Sequence, residues 1–140
     1  MITGKLTERF WGKIWDFDPG VTTPVNVGIV DMADFIRLLV IVRPAVIAAG
    51  GPASIKILAS AASGFTSPVE IVAHAAPSTM DATGDNRVLE VTKDDLVAAG
   101  TDLRYVTCEI DAATATDEFS VLYLMESKTA QAGLTADITT

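Results

Sequence analysis

Short apolar runs separated by glycine and proline constrain the fold of this chain more than any other feature of its sequence. The run 36–43 alternates between two faces and is rich in β-branched side chains, which suit a pleated sheet. A second run, 119–125, alternates in the same way. Turn signals such as 49–52 (AGGP) and 63–64 (SG) separate such runs from their neighbours. Seven or eight strands of this kind predict a single all-β domain, a β-sandwich or jelly-roll-like barrel.

The alternation within each run predicts which side chains form the core. In the run 36–43 one face is wholly apolar, whereas the other has an apolar centre between Arg37 and Arg43. We expect both faces of this strand to be covered. Two other strands show the same alternation: Val25, Val27 and Ile29 share one face of the first, and Val106, Cys108 and Ile110 are expected to point inward in the second.

One short helix and two terminal segments complete the expected organisation. Acidic residues follow Thr92 in the first turn, and seven residues separate Thr92 from Gly100, so the sequence predicts roughly two helical turns with Thr92 as N-cap and Gly100 as C-cap. We expect an extended N-terminal arm or a first strand over 1–24, the β-sandwich domain over 25–127 and a flexible tail over 128–140.

The N-terminal arm carries four aromatic side chains, including both tryptophans of the chain. Phe10, Trp11, Trp15 and Phe17 fall within eight positions. They either pack on the core of their own domain or lie on a neighbouring subunit, where tryptophan and phenylalanine are effective anchors. These four residues are the candidate partner interface.

Composition excludes several classes of partner. The 140 residues carry a formal net charge of −8, and such an acidic surface disfavours direct binding of nucleic acid. The chain is 49% hydrophobic, so it has enough apolar material for a core. Its most apolar stretch, 35–49, is interrupted by Arg37, Arg43 and Pro44 and is too short to cross a bilayer. We therefore expect neither nucleic acid nor a membrane as a partner.

The chemistry-bearing residues do not form a recognisable catalytic set. One cysteine and one histidine exclude a disulfide framework and any multi-cysteine zinc site within one chain. We expect Cys108 to be an inert core thiol and His74 to lie in a surface loop that spans 74–87. No nucleotide-binding or hydrolase motif is present, so we expect no enzymatic activity, no catalytic residues, no bound metal and no cofactor. One alternative stays open, a divalent ion held at an interface by loop carboxylates: Asp81, Asp85, Asp111 and Asp117.

The order of hydrophobic blocks and turns resembles that of small virion proteins of tailed phages and prophages. The resemblance lies in the opening LTERF, in FIRLLVIVRPAVIAAGGPASIKILASA, in VLEVTKDDLVAAGTDLRYVTCEI and in the closing FSVLYLMES, and it covers roughly residues 5–127. It implies a non-enzymatic capsid decoration or cement protein on the exterior of the virion, with the major capsid protein as partner and a homotrimeric state. Two other functions remain open: a receptor- or carbohydrate-binding module of a phage tail, and a ring-forming head–tail or tail-tube subunit.

Overall fold

A computed structural model describes residues 10–17, 23–48 and 50–128 of the chain. The strands in this part are β1 (Phe10–Phe17), β2 (Val25–Asp31), β3 (Phe35–Val46), β4 (Ser54–Ser60), β5 (Val69–Ala73), β6 (Arg87–Thr92), β7 (Tyr105–Asp111) and β8 (Glu118–Ser127). A 3₁₀ turn covers Pro77–Thr79, and helix α1 spans Lys93–Ala99. The predicted all-β class with one short helix is confirmed.

Two four-stranded antiparallel sheets pack face to face, so the sandwich alternative is the correct one. The first sheet has the strand order β1-β8-β3-β6 and the second has the order β2-β7-β4-β5. Most neighbouring strands are far apart in sequence, such as β1 and β8 from opposite ends of the described chain, whereas β4 and β5 follow one another directly. The core lies between the two sheets.

The inner face of the first sheet follows the predicted alternation. Leu38, Val40 and Val42 of β3 are fully buried, and Val40 lies opposite the buried Tyr123 of β8. The expectation that both faces of this strand are covered is wrong for the described residues. Leu39 and Ile41 on the opposite face are only half-buried, because that face is the outer surface of the sandwich.

The predicted alternation of β2 is also wrong after its third residue. Val27 is buried, but the pairing of β2 with β7 shifts register between Val27 and Val30. Gly28 has a φ of +69°, which only glycine adopts readily, and this bulge inserts one extra residue into the strand. Consequently Ile29 is 42% exposed and Val30 takes the inward position.

A tyrosine hydroxyl makes hydrogen bonds to two backbone groups beside the bulge. The Tyr123 hydroxyl on β8 crosses the core, accepts a hydrogen bond from the Cys108 N–H (2.8 Å) and donates one to the Val27 carbonyl. On the same bulge the Thr107 hydroxyl donates to the Gly28 carbonyl. Burial raises the pKa of Tyr123, so its hydroxyl stays protonated and joins the two sheets.

The segment 1–24, expected to be an arm or a first strand, contributes strand β1 to the first sheet. Its backbone pairs with β8 over eight consecutive residues, from Phe10 opposite Glu126 to Phe17 opposite Phe119. Residues 1–9 and 18–22 lie outside the described part of the chain, as do residues 129–140 of the expected tail. The described part of the arm is therefore an edge strand of the domain.

Helix α1 has the predicted boundaries. The Thr92 hydroxyl accepts a hydrogen bond from the Asp95 N–H (3.3 Å), and the Asp95 carboxylate accepts one from the Thr92 N–H (2.8 Å), which is a capping box. The Gly100 N–H closes the helix on the Leu96 carbonyl (3.2 Å). Leu96 is buried, so it anchors the helix on one end of the sandwich.

Candidate protein-binding surface

The lone cysteine and the lone histidine have structural surroundings. Cys108 is fully buried between Val106 and Ile110 on β7, and burial raises the pKa of its thiol to about 12. A thiol of this kind is not a nucleophile at neutral pH. His74 lies at the end of β5, where its Nδ1 accepts a hydrogen bond from the Ala76 N–H (2.9 Å) and braces the start of the loop. Both positions agree with the sequence-based predictions.

The loop carboxylates are not gathered into a metal site in the described part of the chain. No group of three or more His, Cys, Asp or Glu side chains lies within ligating reach there. Asp117 instead accepts hydrogen bonds from the Ala48 N–H (2.9 Å), the Thr114 N–H (3.0 Å) and the Thr114 hydroxyl (2.7 Å). Burial acts to raise the pKa of Asp117, but these hydrogen bonds outweigh it and hold the pKa below its ordinary value. Asp117 therefore organises the loop that connects β7 in the second sheet to β8 in the first.

Among the four candidate interface residues, Trp15 packs on its own domain. Its ring meets Tyr123 edge-to-face with the centroids 4.9 Å apart, and the Lys13 ammonium lies 4.4 Å from the ring centroid. The backbone of Gly28 passes directly beneath the ring, because a Cβ there would lie 2.5 Å from it. For this residue the structure supports the intramolecular interpretation. The side chains of three others lie outside the described part of the structure: Phe10, Trp11 and Phe17.

The outer surface of the first sheet carries rows of apolar side chains. Ile14, Leu122, Ile41 and Val88 lie opposite one another in a row across all four strands. The next row places Leu124 beside Leu39, with Gly12 and Glu90 at its two ends. We call six residues of these rows the apolar outer face: Ile14, Leu39, Ile41, Val88, Leu122 and Leu124.

The apolar outer face is open to solvent. Val88 on the edge strand β6 is 58% exposed, and the other five side chains are partly exposed. Gly12 of β1 carries no side chain, so Leu122 and Leu124 lie alongside its backbone. A shallow groove runs over this surface, lined by Ile14, Ile41, Val88 and Leu122.

Charged side chains border the apolar outer face at both ends. At one end the Arg37 Nε lies 3.0 Å from a Glu90 carboxylate oxygen and 3.8 Å from one of Glu126. At the other end the groove is bounded by Arg43 and Ser120. An apolar centre with a polar rim is the usual composition of a protein–protein interface.

The outer face of the second sheet has the opposite character. Lys56 of β4 lies opposite Glu109 of β7. On its other side, its ammonium lies 3.2 Å from the carboxylate of Glu70 on β5. Asn26 of β2 pairs with Glu109 on the other side. The centre of this outer face is therefore polar, with the exposed Ile29 at the edge strand β2, whereas the first sheet exposes aliphatic side chains at its centre.

Sequence reasoning found part of this surface and missed the rest. The apolar centre between Arg37 and Arg43 is visible in the alternation of β3, and Leu122 and Leu124 alternate in the same way in β8. The contributions of Ile14 and Val88 become apparent only when β1 and β6 are known to flank those two strands. Strand order was the missing information.

Comparison of the chain with known proteins does not bear on this surface. No protein-family model matches the chain, and no curated protein matches it. Helical structure in the described residues is confined to segments too short to cross a membrane.

Proposed function

We propose that this chain is a non-enzymatic structural protein of a tailed-phage virion, a decoration or cement protein on the exterior of the capsid. Its partners are the major capsid protein and further copies of itself. The observation that carries this proposal is the apolar outer face of the first sheet, with its charged rim. Exposed apolar surface of this kind is stabilised when a protein neighbour covers it, as happens in a shell.

The net charge of the chain supports a location on the exterior of the capsid. A net charge of −8 repels packaged DNA, so a subunit of this composition is better suited to the outside of the shell than to its lumen. The polar outer face of the second sheet, with its Lys56–Glu70 ion pair, suits a surface that stays in water.

A carbohydrate-binding module would use Trp11 or Trp15 as a stacking platform, and the surroundings of Trp15 do not suit that role. A sugar stacks on the open face of an aromatic ring, but Trp15 is half-buried, contacts Tyr123 and has the Lys13 ammonium near its ring. The capsid proposal needs no exposed tryptophan.

Co-sedimentation with capsids tests the proposal. The protein is mixed with shells assembled from the major capsid protein of the same phage, and the bound fraction, the copies per shell and the temperature of shell disruption are measured. We expect saturable binding and a higher disruption temperature, because a ligand that binds only the intact shell stabilises it by mass action. Absence of binding overturns the proposal. A ring of six or twelve copies in place of shell binding supports a tail-axis subunit.

A further inference from the structure

We propose that the apolar outer face binds the same face of a second copy of this chain. The twofold axis lies between the two copies, midway between β8 and β3, and runs parallel to the strands. The inference rests on the proposed function, because it names the protein that covers this face in the assembly.

The apolar rows of the sheet are complementary to themselves under this symmetry. Because the order is β1-β8-β3-β6, the axis places β8 of one copy over β3 of the other and β1 over β6. Each row of residues in one copy lies over the same row of the other copy. Leu122 therefore contacts Ile41 of the second copy, and Leu124 contacts its Leu39. Aliphatic side chains from both copies then interdigitate as in an aligned packing of two sheets.

The charged row beside them is complementary too. Glu126 and Arg37 are direct neighbours on β8 and β3, so the same operation places Glu126 of each copy over Arg37 of the other. A twofold interface forms each such pair twice. In the adjoining row Gly12 faces Glu90 of the second copy, and the missing side chain leaves room for the glutamate.

The other twofold arrangement of the two faces is disfavoured by charge. An axis perpendicular to the strands places β3 over β3 with its rows reversed. If the apolar rows coincide, Arg43 then lies over Arg37 of the second copy. Like charges in this position oppose association.

The size of the sheet is compatible with a reversible dimer. Four strands spaced about 4.8 Å apart and eight residues long present roughly 500 Å² of flat surface before the relief of the side chains is counted. A standard stable interface buries about 800 Å² per partner. The paired faces therefore fall at the small end of specific interfaces, and we expect the dimer to dissociate on dilution.

The first test is the dependence of molecular mass on concentration, measured by sedimentation equilibrium. We expect the mass to rise from the 14.7 kDa of one chain towards twice that value. Val88→Asp introduces a charge into the face at a position 58% exposed, so the fold tolerates it while the dimer dissociation constant rises roughly a hundredfold. Val97→Asp is the matched control, since Val97 is 70% exposed on α1 away from the face. Equal effects of the two substitutions overturn the proposal.

Charge reversal tests the direction of the axis. In R37E each copy places Glu126 over a glutamate, and in E126R each copy places an arginine over Arg37, so neither variant pairs with itself. In an equimolar mixture both contacts are attractive again, and we expect heterodimers to form. If the mixture stays monomeric while wild type dimerises, the proposed axis is wrong.

The two proposals fail in different ways. A chain that is monomeric at every concentration, or a trimer, overturns the face-to-face dimer, whether or not it binds shells. A dimer that Val88→Asp dissociates supports it, even if the protein does not bind shells, and that result overturns only the proposed function. Circular dichroism on each variant shows whether the sandwich is still folded.

Discussion

Tyr123 shows how one polar atom stabilises a core of aliphatic side chains. Its hydroxyl is the partner of the Cys108 N–H and of the Val27 carbonyl, which lie on two strands of the opposite sheet. We expect Tyr123→Phe to lower the free energy of unfolding by about 1–3 kcal/mol, because both buried backbone groups lose that partner. Urea unfolding followed by circular dichroism measures the loss. Tyr105→Phe, on a half-buried tyrosine of β7, is the control. Equal losses would contradict the bridging role.

Asp117 gives the stability of the domain a dependence on pH. Its pKa is held below the ordinary 3.8, so its contribution is complete above that value and is lost as the pH falls through the lower pKa of the folded state. We expect Asp117→Asn to be less stable than wild type by about 1–2 kcal/mol at pH 7, with the difference shrinking below about pH 4. Urea unfolding at pH 7 and pH 3 measures both differences. Asp81→Asn, on an exposed loop carboxylate, serves as the control. A difference that stays constant with pH would show that charge is not the cause.

At the scale of elements, the bulge in β2 depends on one glycine. Gly28 has a φ of +69°, and a Cβ there would lie 2.5 Å from the Trp15 ring. We expect Gly28→Ala to destabilise the domain by about 2–4 kcal/mol, since it combines backbone strain with a steric clash. Tryptophan fluorescence should shift as Trp15 is displaced, and urea unfolding measures the loss.

Gly84→Ala separates the effect of backbone strain from that of the steric clash. Gly84 has a φ of +97° but has open space around its missing side chain. We expect this variant to lose only the backbone contribution, about 1–2 kcal/mol, with no change in fluorescence. If both variants lose the same free energy, the contact between Gly28 and Trp15 contributes nothing.

The elements that could be predicted from sequence are those whose signal is local. The alternation of β3 and β8 and the capping residues of α1 are visible within a few positions, and the structure agrees with them. The bulge at Gly28 could not be predicted, because it depends on Trp15 and Tyr123 from other strands. Strand β1 shows no clear period, so its pairing with β8 was not predicted.

For the molecule as a whole, the two sheets divide the surface into a polar and an apolar outer face. The inner faces are buried against each other, so neither can serve as a binding surface without unfolding. Sequence alternation identified the inner faces, whereas the character of the outer faces emerged from strand order. The candidate site was therefore less predictable than the fold.

Cys108 provides a probe of the intact sandwich. It is fully buried at the centre of the second sheet, and burial raises the pKa of its thiol to about 12. A thiol reagent reaches it only when the sheets separate, so we expect labelling of the native protein to be roughly a thousandfold or more slower than labelling in urea. When reclosing is faster than labelling, the logarithm of the labelling rate should rise in proportion to the free energy of unfolding that Gly28→Ala and Tyr123→Phe lose. Mass spectrometry of quenched samples gives the rates, with Val97→Asp as a surface control. Rapid labelling of the native protein, or equal rates in all variants, would show that β7 opens locally and that the two sheets do not unfold as one unit.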